Sequence, residues 1–265
     1  MNKITKSQIT QFLDFMKPLA LQSGALLKRG FTKRLTIEYK GRINPVTDVD
    51  IKCEKLITSA IARKFPGHSV LGEEGSDSRG KSEYVWVIDP LDGTVNFAHG
   101  FPIYCVSIGL EYCGRVIAGV VYDPERDEMF WSGESLPAYM NKSKIAVSKE
   151  TRLDRALLAT GFAYDIGTAK KNNLGLFSRM AKKAQGIRRP GSAAIDLCWL
   201  ACGRIDGFWE LKLHPWDTAA ATLIVRNAGG VTTRVDGSTY SIFSPDLLAS
   251  NRYLHEEMKK VLAGK

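Results

Sequence analysis

The first third of the chain follows a helical pattern. Apolar residues recur at helical spacing from Ile9 to Leu27. Pro18 lies inside this run and predicts a kink or a split, because proline removes one backbone hydrogen bond. A second helix is predicted to be capped by Thr47 or Asp48, and Pro66-Gly67 is expected to end it.

The middle third has the pattern of a β-sheet. Residues 84–88 form a short apolar run that predicts a strand buried on both faces. Residues 103–112, 116–122 and 128–131 predict an antiparallel meander, because turn-forming segments separate them.

Strand and helix patterns alternate from about residue 150 onward. An antiparallel half followed by an alternating half predicts an α+β chain with two sheets. We expect an N-terminal half at residues 1–148 and a C-terminal half at residues 149–265, in one compact structural unit. The predicted strands of the second half are 157–160, 207–211, 231–235 and 247–250, and its helices are 172–184, 192–201, 218–228 and one from Arg252 onward.

The composition is that of an ordinary globular protein. The chain has 265 residues, of which 44% are hydrophobic and 25% charged, enough for one large domain or two closely packed halves. The apolar stretches are far shorter than the roughly 20 residues that a bilayer requires, so no membrane association is expected. Five cysteines, without a CxxC pair or an apolar leader, predict reduced thiols and a cytoplasmic location.

The positive charge is concentrated in one segment. Residues 140–190 contain twelve Lys or Arg against three acids, which equals the net charge of +9 of the whole chain. Such a local field attracts anions without identifying them. The favoured interpretation is a solvated face that steers phosphate substrates, and the alternative is a nucleic-acid surface.

The strongest chemical signal is the segment that runs from Trp86 to Phe97. An apolar strand continues directly into Asp89-Pro90-Leu91-Asp92-Gly93-Thr94, which then opens a short helix. Two carboxylates three positions apart at the end of a strand predict a cation site, and oxygen ligands favour Mg²⁺ over zinc. The backbone N–H groups of Gly93 and Thr94 are expected to bind a phosphate oxygen.

Three further acidic positions are ambiguous when taken singly. Glu73, in Glu73-Glu74-Gly75, is typical of a loop with solvated charges. Asp50 is typical of the first turn of a helix, and Asp217 of a helix N-cap. When the three positions are considered together with the Asp89–Asp92 segment, these purely structural interpretations become weaker.

These segments, taken in order and with their spacing, resemble the inositol monophosphatase family. The resemblance is carried by Glu-Glu-Gly at 73–75, Trp-Val-Ile-Asp-Pro-Leu-Asp-Gly-Thr at 86–94 and Pro-Trp-Asp-Thr-Ala-Ala-Ala at 215–221. It covers nearly the whole chain and is strongest with the bacterial branch. It implies a layered αβαβα sandwich of the inositol monophosphatase and fructose-1,6-bisphosphatase type.

The resemblance also implies a role for each matching residue. Metal ligands would be Glu73, Asp89, Asp92, Asp217 and the backbone carbonyl of Leu91. Asp50, Glu73 and Thr94 would position and deprotonate the attacking water. The substrate would be bound by Gly93, Thr94, Gly191, Ser192, Ala193 and Glu210, with Glu210 on the hydroxyl groups of inositol.

The activity implied is hydrolysis of myo-inositol monophosphate by metal-activated water. Two or three Mg²⁺ ions would be the cofactors, lithium would inhibit, and the protein would form a homodimer. Histidinol phosphate or another small phosphate ester is the rival substrate. A regulatory protein associated with nucleic acid or a transcription complex, with a secondary phosphatase site, is the alternative of a different class and is not favoured. None of the four histidines is assigned a covalent role.

Overall fold

The change of pattern near residue 150 corresponds to two separate sheets. A computed structural model describes residues 4–31, 37–40, 44–77 and 82–264. The outermost residues of the two predicted halves, 1–3 and 265, lie outside this part. The helices are α1 (Lys6–Phe31), α2 (Asp48–Lys64), α3 (Thr94–Ala98), α4 (Leu174–Ala181), α5 (Ala193–Ala201), α6 (Pro215–Asn227) and α7 (His255–Leu262).

The first sheet has seven described strands in the order β3-β4-β5-β6-β7-β8-β9. The second has the order β11-β10-β12-β14-β13, and β1 and β2 form a separate pair. The strands are β1 (Ile37–Lys40), β2 (Asn44–Thr47), β3 (Ser69–Gly72), β4 (Tyr84–Asp92), β5 (Cys105–Tyr112), β6 (Arg115–Asp123), β7 (Glu128–Gly133), β8 (Tyr139–Met140), β9 (Ser143–Lys144), β10 (Leu157–Thr160), β11 (Gly186–Arg188), β12 (Gly207–Leu211), β13 (Val231–Thr233) and β14 (Asp246–Ser250).

The five layers of the predicted sandwich are present. Helices α1 and α2 pack on one face of the first sheet, and α6 packs on its other face. Helices α5 and α6 lie between the two sheets around a core that includes Cys198 and Ile224. Helices α4 and α7 cover the outer face of the second sheet through Met180 and Met258.

The expectation of an antiparallel first sheet is confirmed for β5, β6 and β7 but is wrong at one edge. Strand β3 runs parallel to β4, with Ser69 opposite Val85 and Gly72 opposite Ile88. Both strands therefore end on the same side of the sheet, as parallel strands do. The loop after β3 is thereby brought next to the carboxylates at the end of β4.

Helix α1 is continuous through Pro18, so the predicted split is wrong. Pro18 is exposed, and so is Asp14, whose carbonyl loses its partner four residues later. Water can satisfy a carbonyl on the solvent side of a helix, which lowers the cost of the proline there. The buried residues Met16, Leu19 and Ala20 keep this helix packed against the sheet.

The remaining differences lie at the ends of elements. Helix α6 begins at Pro215 and not at residue 218, since proline suits the first position of a helix. Strand β13 ends at Thr233 because the N–H of Val235 donates to Asp246 Oδ1 at 2.8 Å instead of joining the sheet. Helices α4 and α7 are shorter than predicted, at Leu174–Ala181 and His255–Leu262.

Candidate active site

A cavity of about 670 Å³ opens where the end of β4 meets the starts of α5 and α6. Strand β12 of the second sheet forms another part of its wall. Both predicted halves therefore contribute to it. Eleven of the twelve predicted site residues line this cavity: Glu73, Asp89, Leu91, Asp92, Gly93, Thr94, Gly191, Ser192, Ala193, Glu210 and Asp217.

An irregularity in β4 directs two carboxylates into the cavity. The pairing with β5 shifts register between Asp89 and Asp92, where Pro90 has no N–H to offer the sheet. Asp89 is 1% exposed, and its Oδ1 accepts a hydrogen bond from Leu91 N at 3.0 Å. The bulge thus fixes Asp89 and Asp92 on one side of the strand end.

Position 93, at the end of this strand, requires a glycine. Its φ of +95° is unfavourable for residues with a side chain, and a Cβ there would lie 2.8 Å from the carbonyl oxygen of Ile103. The chain therefore turns sharply into α3, with Gly93 and Thr94 in the cavity wall.

Asp92 joins the first sheet to the start of α5. Its Oδ2 accepts hydrogen bonds from Ser192 Oγ and Ala194 N, both at 2.7 Å. Burial raises the pKa of Asp92 to about 6, and these two bonds act in the opposite direction. Ser192 Oγ also accepts from Ile195 N at 3.3 Å as the N-cap of α5, so its hydroxyl is already engaged within the protein.

Asp50 lies behind the cavity wall and contacts Thr94, which is part of that wall. Asp50 is 1% exposed and is absent from the cavity wall, whereas Thr94 lines it. Thr94 Oγ1 lies 3.4 Å from Asp50 Oδ1 and 3.0 Å from the carbonyl oxygen of Leu91. Burial raises the pKa of Asp50 to about 6, against hydrogen bonds from the backbone and side chain of Thr47.

A buried acid that sequence reasoning missed shapes the loop that carries Glu73. Glu54 in α2 is 3% exposed, and its two carboxylate oxygens accept from Glu74 N at 2.8 Å and Ser76 N at 2.9 Å. A Cβ at Gly72 would lie 2.5 Å from Glu54 Oε2, so the strand end and the carboxylate are in close contact. The sequence signal that could have indicated this role is the presence of an acid on the apolar face of a helix.

Asp217 lies in the first turn of α6, although not at the predicted N-cap. His214 is the N-cap, and Asp217 Oδ2 accepts from His214 N at 2.7 Å. The imidazole of His214 stacks on the ring of Trp216, with centroids 5.0 Å apart. Burial and the negative charge of Asp92 raise the pKa of Asp217 to about 7.

Glu210 lies in β12 and lines the cavity. Its carboxylate packs on Gly161, where a Cβ would lie 2.2 Å from Glu210 Oε1. Asn173 donates to the carbonyl of Gly161 at 2.7 Å and accepts from Trp209 Nε1 at 2.7 Å, which ties the loop to β12. Burial, Asp217 and Asp92 raise the pKa of Glu210 to about 8, and Arg189 opposes the shift.

Several negatively charged side chains lie close to Asp89. Burial is the largest cause of its raised pKa, followed by the negative charges of Glu73, Asp92 and Asp217. Four acids from three segments of the chain therefore repel one another in one cavity. Such an arrangement favours a bound cation, which would offset the repulsion.

Comparison with known proteins identifies the relatives of this chain. The model of the inositol monophosphatase family matches residues 8–264. The chain belongs to this family. The protein is accordingly a phosphatase of a metal-dependent family.

One relative and two solved structures illustrate the similarity. The inositol-1-monophosphatase of Synechocystis sp. is 42% identical over 259 residues, covering 97% of this chain and 90% of the relative. The structure of inositol monophosphatase from Anabaena has a TM-score of 0.88 at 39% identity, covering 96% of each chain. The extragenic suppressor protein suhB of Bartonella henselae has a TM-score of 0.90 at 35% identity, covering 95% of this chain and 98% of the other.

The residues present fit the hard divalent ion that the family implies. Within the described ranges, no group of three or more His, Cys, Asp or Glu side chains lies close enough together to coordinate a metal ion as the side chains stand. The donor chemistry nevertheless fits, since Glu73, Asp89, Asp92 and Asp217 line one cavity and offer carboxylate oxygens. Glu73, Asp89, Asp92 and Asp217 would hold the ion, with the Leu91 carbonyl beside them.

Across the described residues, no helix has both the length and the apolar character needed to cross a membrane. All five cysteines are free, and Cys198 is buried in the core between the sheets.

Proposed function

We propose that this protein is a magnesium-dependent phosphomonoesterase that hydrolyses myo-inositol monophosphate to inositol and phosphate. One observation carries the proposal: acids of both halves line a single cavity that also contains Gly93, Thr94 and Glu210. The acids together with Gly93 and Thr94, called here the acidic end, suit a phosphate with metal ions, and the surroundings of Glu210, called here the alcohol end, suit a polyhydroxy alcohol.

The acidic end would act on the phosphate. Glu73, Asp89, Asp92, Asp217 and the Leu91 carbonyl would hold two or three magnesium ions. When bound, the ions would lower the pKa of the attacking water and offset charge on the phosphoryl oxygens. The backbone N–H groups of Gly93 and Thr94 would hold a phosphate oxygen in line for attack.

Asp50 and Thr94 would remove a proton from the water. Thr94 Oγ1 can donate its hydrogen to Asp50 Oδ1, which leaves the threonine oxygen to accept a hydrogen from the water. A pKa near 6 suits Asp50 as a base close to neutral pH. Glu73, which also lines the cavity, would orient the same water. Because water itself attacks the phosphorus, no phosphorylated side chain is required.

The other end of the cavity would bind the alcohol. Glu210 would accept hydrogen bonds from inositol hydroxyl groups, and Gly191 and Ala193 would line the space beside it. Ser192 would contribute through its backbone, because its side chain is bonded to Asp92. Histidinol phosphate remains the rival substrate, with a cationic amine in place of these hydroxyls.

A phosphate-release panel tests the proposal. The purified protein would be assayed with Mg²⁺ on inositol 1-phosphate, histidinol phosphate and 4-nitrophenyl phosphate at equal concentrations. We expect the highest kcat/KM on inositol 1-phosphate. A higher kcat/KM on histidinol phosphate would mean that this compound, and not inositol phosphate, is the preferred substrate. Absence of phosphate release from all three compounds would contradict the proposed activity.

The family resemblance supports two further proposals. Lithium would inhibit the enzyme by competing for the carboxylate site, and the protein would assemble as a homodimer. A lithium titration of phosphate release tests the first, and light scattering of the protein in solution tests the second. Full activity in millimolar lithium would contradict the first proposal. A measured mass equal to that of a monomer would contradict the second.

A further inference from the structure

A buried acid in α5 has no part in the roles described so far. Asp196 is 1% exposed and borders the same cavity as Glu210 and Ala193. It follows Ala193 by three positions, which puts both side chains on the same face of the helix. The acid therefore lies at the alcohol end of the cavity, one helical turn deeper than Ala193.

Asp196 is not held by the protein in the usual way for a buried acid. Its Oδ1 is buried and has no hydrogen-bond partner among the described residues. An unsatisfied buried polar atom costs roughly 1–3 kcal/mol. The neighbours Ile195 and Leu197 belong to the apolar core between the sheets, so neither of them can offer a polar side chain to Asp196.

A structural role at the start of the helix does not account for Asp196. An acid in a first turn stabilises a helix, but it normally does so from the surface. In α5 the capping contact is already made by Ser192, whose Oγ accepts from Ile195 N. Asp196 also lines the cavity, so a ligand bound there can supply the partner that the protein lacks.

The electrostatic neighbours of Asp196 are those of the alcohol end. Burial first, then the charges of Glu210 and Asp92, raise the pKa of Asp196 well above its ordinary value, and Arg189 opposes this. A protonated carboxyl group both donates and accepts hydrogen bonds. A hydroxyl group has the same dual capacity and is therefore a suitable partner.

We propose that Asp196 and Glu210 form a two-carboxyl subsite that binds a hydroxyl group of the substrate other than the one that carries the phosphate. Asp196 makes a direct hydrogen bond to that hydroxyl and so acts as a specificity-determining residue. The inference rests on the proposed function, since it assumes a polyhydroxy alcohol as the leaving group. It adds a residue for which neither the sequence motifs nor the family resemblance gave a role.

The test compares two substrates in three variants. Asp196→Ala removes the hydrogen bond, Asp196→Asn keeps a donor and an acceptor, and Ile195→Val is a control in the same helix that faces the apolar core. The KM and kcat of each would be measured on inositol 1-phosphate and on 4-nitrophenyl phosphate, which has no alcohol hydroxyl to bind.

We expect Asp196→Ala to raise KM for inositol 1-phosphate about three- to tenfold with little change in kcat, as for the loss of one neutral hydrogen bond. Its kinetics on 4-nitrophenyl phosphate should match the wild type, and Asp196→Asn should recover most of the loss. The thermal midpoint of the ligand-free Asp196→Ala protein should not fall, because the unsatisfied acid is gone.

Other outcomes overturn the inference. Equal damage on both substrates, or a lower thermal midpoint in Asp196→Ala, would mean that Asp196 is structural. An unchanged KM for inositol 1-phosphate would mean that Asp196 makes no substrate contact. If the wild type itself does not hydrolyse inositol 1-phosphate, the proposed function fails, which is distinct from either result.

Discussion

At the scale of single residues, the sequence motifs identified the groups that face the cavity, whereas the groups that hold them in place carried no motif. Asp89 and Asp92 could be predicted because two acids at the end of an apolar strand are unusual, whereas Asp217 was ambiguous by itself and was indicated by the family resemblance. Glu54 and Asn173 could not, since a polar residue in an apolar pattern says nothing about which distant backbone atoms it bonds. Their role follows from contacts between segments far apart in the chain.

Glu54 yields a prediction about metal affinity. Replacing it by glutamine leaves one of the two bonded N–H groups, on Glu74 or Ser76, without an acceptor. The loop should then hold Glu73 less firmly, so the Mg²⁺ concentration for half-maximal activity should rise. We expect destabilisation of the fold by roughly 1–3 kcal/mol, as for one unsatisfied buried group.

Mg²⁺ titrations of phosphate release in Glu54→Gln and in Lys55→Gln, an exposed neighbour on the same helix, test this prediction. Identical Mg²⁺ dependence in both variants would mean that Glu54 does not support the site.

Glu210 yields a prediction about pH and stability. Its pKa is raised to about 8 in the folded protein, chiefly by burial, compared with about 4.3 in an unfolded chain. Between these values the folded state binds more protons, so this group makes the protein less stable as the pH rises from about 4.3 through 8. Glu210→Gln should therefore be more stable than the wild type at pH 9, by a few kcal/mol at most, and the difference should shrink toward pH 5.

Urea unfolding of both metal-free proteins at pH 5, 7 and 9 measures this difference. The comparison between two variants is needed because Asp92, Asp217 and Asp196 also have raised pKa values. A constant difference across the pH range would show that Glu210 does not titrate in this window.

At the scale of elements, the sequence predicted which segments form helices and strands better than it predicted their ends and partners. Strands β10 and β12 lie at the predicted residues, because short apolar runs bounded by turn residues leave little freedom. The parallel pairing of β3 with β4 was missed, since pairing depends on the path of the whole chain. The start of α6 at Pro215 was readable from the preference of proline for a first helical position.

The packing between β12 and the loop after β10 yields a third prediction. A Cβ at Gly161 would overlap the carboxylate of Glu210, so Gly161→Ala should displace that group. We expect a higher KM for inositol 1-phosphate and an unchanged kcat on 4-nitrophenyl phosphate, because the alcohol end changes and the phosphate end does not.

Gly167→Ala is the matched control, since a Cβ there meets nothing within 4 Å. Kinetics on both substrates would be compared for the two variants. A wild-type KM in Gly161→Ala would contradict the position assigned to Glu210 in substrate binding.

At the scale of the whole molecule, the site joins the two predicted halves. Glu73, in the loop after β3, and the two acids of β4 come from the first half of the chain, and Glu210 and Asp217 come from the second. The division at residue 148 itself stays a prediction. All twelve basic residues of the segment 140–190 are exposed, as the prediction of a solvated basic face requires.

The basic segment yields a prediction about salt. Lys182, Lys183 and Arg188 are exposed and are not part of the cavity wall, whereas Arg189 lines it. Reversing the first three to glutamate should lower kcat/KM modestly at low ionic strength, and added salt should erase the difference.

Steady-state kinetics of the triple variant in about 20 mM and 300 mM salt measure the effect. If the segment instead serves a nucleic acid, the wild type should bind RNA with an affinity that falls steeply with salt, and the triple variant should flatten that slope. That outcome would favour the regulatory alternative.

The central claim is that the acids at the end of β4 create a metal-dependent phosphatase. The most direct test is phosphate release from inositol 1-phosphate by EDTA-treated protein as Mg²⁺ is restored, in the wild type and in Asp92→Asn. We expect no activity without metal, full recovery in the wild type, and a loss of about 10³-fold or more in the variant, as when a preorganised electrostatic group is removed. Full activity in EDTA, or near wild-type recovery in Asp92→Asn, would contradict the account.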